Sequence, residues 1–384
     1  MDFKKYILAL FLVFLFCQDT RYIDEIFDEV QITENVVYGN APDLPFLFLF
    51  EWNTNDIDLN MDIYEPLGDT ITNRPVIIFA HSGSFFTGSK EAQDMVELCK
   101  ESARRGYVAI SMEYRLGLNV LSSYSGERAV FRGIQDGSAI IRYLREFHDD
   151  YNINPEKIFL WGSSAGSFIG LHLAYLEDSE RPESTFGTDF DPDLGCIDCE
   201  GNSYEHSNKP TAVISTWGAI SDLDYIDSYE NIPVALFHGT FDLVVPYDEG
   251  YPFTLGITLP VVYGSTKISE KMTTLGIEHN LVIEENEPHE YYGSVNGNLN
   301  LGGGPNDYWN SIIQESYQFL YSFIDIDGDV NSDGLLNIQD IVIIINFILN
   351  IDNPSDEQLS IADMNDDGTL NILDVIIILE QLTR

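Results

Sequence analysis

Hydrophobic and polar positions change period repeatedly through the middle of the chain. Short apolar runs rich in β-branched residues are each followed by a stretch in which apolar residues recur every three or four positions. This alternation predicts strands joined by crossover helices, hence a parallel sheet. The predicted strands span residues 76–80, 107–112, 158–162, 212–217, 234–238 and 281–284, preceded by an antiparallel edge pair at 46–50 and 59–64. The predicted helices span residues 91–105, 127–147, 165–176, 265–275 and 311–323.

The N-terminus has a different pattern. Lys4 and Lys5 precede an apolar stretch at 6–16 that is too short to cross a bilayer, which takes about 20 residues. A basic start, an apolar centre and a polar stop are typical of a signal peptide. We therefore predict a signal peptide at 1–17, cleaved after Cys17, and a secreted or cell-surface protein with no transmembrane span in the mature chain. A lipoprotein anchor on Cys17 and a buried N-terminal helix are the alternatives.

The distribution of charged residues divides the rest of the chain into two parts. The 384 residues carry 63 acidic and 19 basic side chains, a net charge of −44 that repels phosphate backbones and argues against a nucleic-acid partner. From residue 325 onward, Arg384 is the sole Lys or Arg. We predict a large α/β domain at 18–324 and a small domain at 325–384.

The chemistry in the larger domain centres on Ser164. It is the middle residue of Gly-x-Ser-x-Gly at 162–166, between a predicted strand and a predicted helix, where a sharp turn would expose its hydroxyl. A serine needs a histidine base, and that histidine needs an orienting acid. Asp242 and His289 each follow a predicted strand, in the chain order Ser, Asp, His. Asp248 is the alternative acid and His279 the alternative base.

The developing oxyanion needs preorganised donors. Residues 81–85, His-Ser-Gly-Ser-Phe, follow the strand at 76–80 and occupy the position of an oxyanion loop. We assign the oxyanion hole to the backbone N–H groups of Gly83, Ser84 and Ala165.

On these motifs, residues from about 35 to 323 resemble bacterial carboxylesterases of the α/β-hydrolase superfamily. Further matching pieces are Glu113-Tyr-Arg-Leu116, Gln135-Asp136 and Pro288-His289-Glu290. The resemblance implies the α/β-hydrolase fold, a mostly parallel sheet flanked by helices. It also implies a Ser164–Asp242–His289 triad that hydrolyses carboxylic esters without a cofactor. A serine peptidase or a polyester hydrolase of the same fold, and a non-catalytic calcium-dependent adhesion protein, are the alternatives.

The insertion at 177–209 holds a Cys-x-x-Cys pair, Cys196 and Cys199. With no second pair to complete a zinc site, we favour a local disulfide. Cys99 is predicted to be a buried apolar filler. We expect the insertion to border the substrate pocket.

The small domain contains two similar acidic segments in register. A calcium loop places oxygen ligands at positions 1, 3, 5, 7, 9 and 12 and glycine at position 6. The first segment supplies Asp329, Asn331, Asp333, the Leu335 carbonyl, Asn337 and Asp340. The second supplies Asp363, Asn365, Asp367, the Thr369 carbonyl, Asn371 and Asp374. Helices are predicted after them at 341–349 and 375–382.

The domain predicted at 325–384 resembles a type I dockerin, a small α-helical domain. The resemblance implies two bound Ca²⁺ ions and a cohesin-like or other cell-surface protein partner. Loop positions 10 and 11 are Ile338-Gln339 and Ile372-Leu373 rather than the common Ser/Thr pair, which leaves the identity of that partner open. Because docking modules accompany polysaccharide-degrading enzymes, we predict acetyl or feruloyl esters of polysaccharides as substrates.

Overall fold

In the computed structural model, the described residues are 21–44, 51–52, 54–119, 122–189, 191–254, 259–293, 305–324, 328–331, 336–365 and 367–382. Among these described residues, two compact units are found: residues 25–320, and residues 321–382 together with residues 21–24. The predicted signal peptide at 1–17 and the predicted strand at 46–50 lie outside the described residues. None of the described helices is both long and apolar enough to cross a membrane.

The larger unit is built on an eight-stranded sheet. Its strands are β1 (Val30–Asp43), β2 (Asn55–Pro66), β3 (Arg74–Ala80), β4 (Val108–Met112), β5 (Ile153–Ser163), β6 (Val213–Thr216), β8 (Val234–Gly239) and β11 (His279–Glu284). They lie in the order β1-β2-β4-β3-β5-β6-β8-β11 across the sheet. From β4 to β11 in that order neighbouring strands are parallel, and the pairs β1-β2 and β2-β4 are antiparallel. A second, three-stranded sheet contains β7 (Ala219–Ile220), β9 (Glu249–Gly250) and β10 (Val262–Gly264).

Helices surround the large sheet and cover its apolar faces. They are α1 (Gln93–Arg104), α2 (Ser123–Glu146), α3 (His148–Tyr151), α4 (Ala165–Tyr175), α5 (Ser265–Leu275) and α6 (Asp307–Tyr321). Short 3₁₀ turns occur at Asp178–Glu180, Glu183–Thr185, Leu223–Tyr225 and Pro252–Thr254. The helix predicted at 265–275 has the observed bounds, and the other helices and parallel strands are found with ends shifted by a few residues.

The predicted edge pair is partly wrong. The strand predicted at 59–64 exists as part of β2, but its antiparallel partner at the edge is β1, and β2 lies between β1 and β4. β1 escaped prediction because half of its residues are exposed, only two are buried, and its pairing is interrupted by register shifts after Thr33 and Val37. Such a strand lacks the continuous apolar run of the buried strands.

In the smaller unit, three helices pack around their own core. They are α7 (Ile338–Ile348), α8 (Asp356–Ala362) and α9 (Ile372–Gln381). Both predicted helices are found, each beginning three residues earlier than expected, whereas α8 was not predicted. The core is formed by Val330, Leu336, Ile341, Ile344, Phe347, Ala362, Val375, Ile378 and Leu382.

Candidate active site and C-terminal calcium loops

Ser164 lies in a strained turn between β5 and α4. Its backbone has φ 51° and ψ −111°, outside the regions that non-glycine residues prefer. The turn is tight because a Cβ on Gly162 would lie 2.2 Å from the Gly166 carbonyl carbon, and one on Gly166 would lie 2.0 Å from the Ala80 carbonyl oxygen. The Ser164 N–H donates to the Thr216 carbonyl at 3.0 Å, which attaches the turn to the neighbouring strand.

The structure brings Ser164, His289 and Asp242 together. His289 Nε2 lies 2.9 Å from Ser164 Oγ, and His289 Nδ1 lies 2.6 Å from Asp242 Oδ2. Asp242 follows β8 and His289 follows β11, so both come from the carboxyl edge of the parallel sheet, where sites of such sheets form. With the ring proton on Nδ1, His289 donates to the carboxylate, and its Nε2 accepts a hydrogen bond from the Ser164 hydroxyl.

The two alternative residues lie elsewhere. Asp248 accepts from Thr266 Oγ1 at 2.9 Å and pairs with Lys267 at 3.5 Å. His279 begins β11, where its Nε2 contacts Ser269 Oγ at 2.9 Å. Neither belongs to the Ser164–His289–Asp242 arrangement.

His238 is a further site residue, beyond those predicted from the sequence. Its Nε2 donates toward Asp242 Oδ2 at 3.2 Å and the Val245 carbonyl at 3.1 Å, while its Nδ1 contacts Ser265 Oγ at 2.9 Å. Burial raises the pKa of Asp242, but hydrogen bonds from His238 and His289 outweigh burial and hold that pKa well below its usual range. Asp242 thus remains ionised beside His289. The i, i+4 spacing of His238 and Asp242 across a strand end was the available signal.

The predicted oxyanion loop forms a tight turn after β3. Gly83 and Ser84 have φ values of 123° and 57°, and the Gly83 carbonyl accepts from the N–H groups of Phe86 and Thr87 at 3.0 Å. A Cβ on Gly83 would lie 1.9 Å from the Thr87 carbonyl oxygen, so this turn requires glycine. Ser84 and Ala165 line the same cavity as Ser164, and Gly83 immediately precedes that lining.

The cavity beside Ser164 is mainly apolar. Ser164, Ala165, Phe168 and His172 recur on one face of α4, which at ~1.5 Å per residue extends the cavity about 12 Å along the helix. Its apolar walls are formed by Phe85, Leu118, Val130, Phe131, Ile134, Phe168, Leu176, Pro182, Val244, Val245, Pro252, Phe253, Leu259, Pro260 and Val262.

Polar side chains also line the cavity, at Ser84, Glu127, His172 and Ser221. His172 Nδ1 donates to the Phe168 carbonyl at 2.7 Å, and its Nε2 accepts from Ser221 Oγ at 2.5 Å. Burial lowers the pKa of His172 to about 4, with the Phe168 carbonyl opposing the shift. His172 is therefore a neutral wall residue rather than a second base.

The insertion at 177–209 reaches the cavity through Pro182. It is fixed to α2 by buried side chains: Arg128 donates to the Ser184 and Pro192 carbonyls at 2.7 Å, and Gln135 donates to the Leu194 carbonyl at 2.6 Å. Cys196 and Cys199 form the expected disulfide, and Cys99 is buried and free. A further part of the cavity wall, to which the sequence analysis gave no role, is formed by Pro252, Phe253, Leu259, Pro260 and Val262.

In the smaller unit, the calcium-ligand candidates at loop positions 9 and 12 lie at the start of two helices. Asn337 and Asn371 cap α7 and α9, and their capping-box partners are Asp340 and Asp374. Asp374 also accepts from the Met364 N–H at 3.0 Å, which closes the second loop on itself. Asp333 and Leu335 lie outside the described residues.

The second loop is described nearly in full. Asp363 accepts from the Gly368 N–H at 2.7 Å, and Asp367 accepts from the Thr369 N–H at 2.8 Å. Among the described residues, no group of three or more His, Cys, Asp or Glu side chains is arranged to hold a metal. The donor set nevertheless fits calcium, since it consists of carboxylate, amide and carbonyl oxygens at the loop spacing.

Comparisons with known proteins agree with this division. Residues 61–224 match the BD-FAE family, and residues 327–383 match the Dockerin type I domain family. The chain is 31% identical over 113 residues to Carboxylesterase 3B of Mus musculus, covering 29% of this chain and 19% of that protein. It is 27% identical over 107 residues to Para-nitrobenzyl esterase of Bacillus subtilis, covering 27% and 21%. The chain thus matches about a fifth of the length of these relatives.

A solved structure of Thermogutta terrifontis esterase 2, phosphorylated by paraoxon, superposes with a TM-score of 0.49 and 20% identity, covering 73% of this chain and 93% of that one. Dockerin type I domains bind calcium, in agreement with the donor set of the C-terminal loops. The larger unit therefore contains a region similar to the BD-FAE family, and the C-terminal segment is similar to dockerin type I domains.

Proposed function

We propose that this protein is a serine carboxylesterase that forms an acyl-enzyme on Ser164. The observation that carries the proposal is the hydrogen-bonded series Ser164 Oγ–His289 Nε2 at 2.9 Å and His289 Nδ1–Asp242 Oδ2 at 2.6 Å. A nucleophile, a base and an orienting acid in contact are the arrangement that acyl transfer requires.

In the first half-reaction, His289 Nε2 accepts the Ser164 proton as Oγ attacks the ester carbonyl carbon. The N–H groups of Gly83, Ser84 and Ala165 stabilise the resulting oxyanion. Its collapse expels the alcohol, which takes the proton from His289. In the second half-reaction, His289 deprotonates a water that attacks the acyl-enzyme, and the acid leaves as Ser164 regains its proton. Asp242 stabilises the imidazolium in both halves, and no cofactor takes part.

The cavity favours a bulky apolar acyl group over acetyl. An acetyl group would fill little of a cavity about 12 Å long whose walls are largely aliphatic and aromatic. Ser221 Oγ donates to His172 and keeps lone pairs that can accept from a phenolic hydroxyl. Feruloyl esters of polysaccharides are therefore the proposed substrates, ahead of acetyl esters.

We also propose a secreted or cell-surface protein with a signal peptide at 1–17, a catalytic domain at 18–324 and a docking domain at 325–384. The docking domain would bind two Ca²⁺ ions and a cohesin-like protein. The dockerin match and the repeated oxygen-donor loops support this part of the proposal.

The test compares kcat/KM for methyl ferulate and p-nitrophenyl acetate with release of ferulate and acetate from feruloylated and acetylated xylan, all in calcium. Methyl ferulate should be the better small ester, and Ser164→Ala should abolish every activity. His289→Ala should lose at least about 10³-fold in kcat, whereas the matched variant His279→Ala should keep wild-type rates. Ser221→Ala should lower activity on methyl ferulate more than on methyl cinnamate.

Other outcomes select the alternatives. Acetate release without ferulate release would overturn the acyl preference. Hydrolysis of small esters alone would leave a general carboxylesterase. Peptide or polyester cleavage would assign one of the other hydrolase functions. No hydrolysis and no labelling of Ser164 by a fluorophosphonate would favour the adhesion protein.

A further inference from the structure

A hydrogen bond joins two loops that are distant in sequence, both next to proposed catalytic groups. Ser82 Oγ donates to Glu290 Oε1 at 2.5 Å. Ser82 immediately precedes the oxyanion residues Gly83 and Ser84, and Glu290 immediately follows His289. Ser82 is fully buried and Glu290 is half-buried, so the contact is partly shielded from solvent.

The oxyanion loop is fixed from one side by the fold. Tyr114 OH donates to the His81 carbonyl at 2.8 Å, its ring stacks on the His81 ring with centroids 4.1 Å apart, and His81 Nδ1 donates to the Ser82 carbonyl at 2.7 Å. Burial lowers the pKa of His81 to about 4, so the ring stays neutral. These contacts hold the backbone of residues 81 and 82, and the Ser82 side chain adds the bond to Glu290.

The loop carrying His289 is fixed on either side of Glu290. Trp217 packs edge-on against the His289 ring at 6.3 Å between centroids and against Tyr292 at 4.6 Å. Tyr292 OH donates to Asp94 Oδ2 at 2.5 Å. Glu290 itself has φ 54°, an unfavourable conformation for a residue with a side chain, which the surrounding contacts must maintain.

We propose that Glu290 is a positioning residue that sets the general base and the oxyanion donors in register through Ser82. The inference rests on the proposed esterase function. Attack on the carbonyl requires the base and the donors to be aligned at the same moment, and misplacement by about 1 Å can cost ~10²-fold in rate. A hydroxyl that donates to a carboxylate makes a bond roughly twice as strong as a neutral one, which suits a link that must not slip.

The test is a double-mutant cycle in the full-length protein, with kcat and KM measured on p-nitrophenyl acetate. Ser82→Ala and Glu290→Ala should each lower kcat about 10-fold or more with little change in KM. The double variant should be no slower than the worse single variant, because both substitutions remove the same hydrogen bond between Ser82 and Glu290. Glu290→Gln keeps an acceptor without the charge and should recover part of the rate.

The matched control is Ser138→Ala. Ser138 Oγ donates to Asp198 Oδ1, also at 2.5 Å, and joins α2 to the insertion. Ser138→Ala should leave kcat unchanged. Multiplicative losses in the double variant, or losses confined to KM, would overturn the proposal. Circular dichroism identifies any variant that fails to fold, and Glu290→Gln is the least disruptive member of the set.

A second readout separates this inference from the esterase function. The proton between His289 Nδ1 and Asp242 should give a low-field proton NMR signal, which Glu290→Ala should shift and Ser138→Ala should not. If the wild type hydrolyses no ester, the proposed function fails, yet this shift still reports the link. An unchanged signal together with an unchanged kcat would show that Glu290 positions nothing.

Discussion

Asp242 is fixed from several directions at once. The Val244 and Val245 N–H groups donate to its Oδ1 at 2.8 and 2.9 Å, and two histidines contact its Oδ2. Asp242→Asn would keep the shape but offer His289 a neutral amide, favouring the wrong imidazole tautomer. We expect kcat to fall by about 10⁴-fold. Asp248→Asn, assayed on the same ester, should stay near wild type, and equal losses in both variants would contradict the assignment of Asp242.

Asp94 is a second buried carboxyl with a predictable pH effect. Burial raises its pKa to about 7, opposed by the Tyr292 hydrogen bond and reinforced by the charge of Glu290. The unfolded chain releases this proton near pH ~4, so between about pH 4 and 7 the folded state binds one proton more and stability falls as pH rises. Relative to the wild type, Asp94→Asn should gain ~1.4 kcal/mol per pH unit across this window in urea unfolding. Parallel pH profiles would contradict the assignment.

Residue-level prediction depended on position along the chain. Ser164, Asp242 and His289 could be found because each follows a predicted strand, in a known order. The contacts of Ser82, Glu290 and Asp94 join loops far apart in sequence, and no local pattern announces such pairs.

At the scale of elements, the turn from β5 to α4 is the most constrained. A methyl group on Gly166 would lie 2.0 Å from the Ala80 carbonyl oxygen, a backbone atom that cannot move aside. We expect Gly166→Ala to cost about 3 kcal/mol of unfolding free energy or more, measured by urea denaturation. Gly68→Ala is the matched variant, since Gly68 also has a positive φ, of 84°, but has open space around its Cβ. It should cost only ~1–2 kcal/mol, and similar costs for both would contradict the steric argument.

Prediction of elements succeeded where burial imposes a pattern. The central parallel strands form apolar runs because both faces of the sheet are covered there. β1 was not predicted because an exposed edge strand does not require a continuous apolar sequence. α8 was not predicted because its short segment, Asp356–Ala362, is mostly polar.

At the scale of the molecule, the segment from residue 325 onward holds 13 acidic side chains and a single basic one, Arg384, so bound cations would offset its charge. In the C-terminal unit, Asp340 and Asp374 are fully buried, and each accepts a backbone N–H from its own loop, at 2.9 Å from Asn337 and 2.8 Å from Asn371. The same residues cap α7 and α9, so the predicted metal ligands also begin the helices. Binding of calcium should therefore stabilise helix formation in this unit.

Chelation tests this coupling. In the full-length protein, EGTA should lower the helical circular dichroism signal. The calcium content should fall from two ions per chain to none. Hydrolysis of a soluble ester should continue, because Ser164, Asp242 and His289 all belong to the unit of residues 25–320. Asp363→Ala combined with Asp367→Ala should leave one ion, whereas Asp352→Asn, an exposed position between α7 and α8, should leave two. A helical signal that does not respond to calcium would contradict the coupling of metal binding to folding in the C-terminal unit. Loss of ester hydrolysis on chelation would contradict the independence of catalysis from the bound metal.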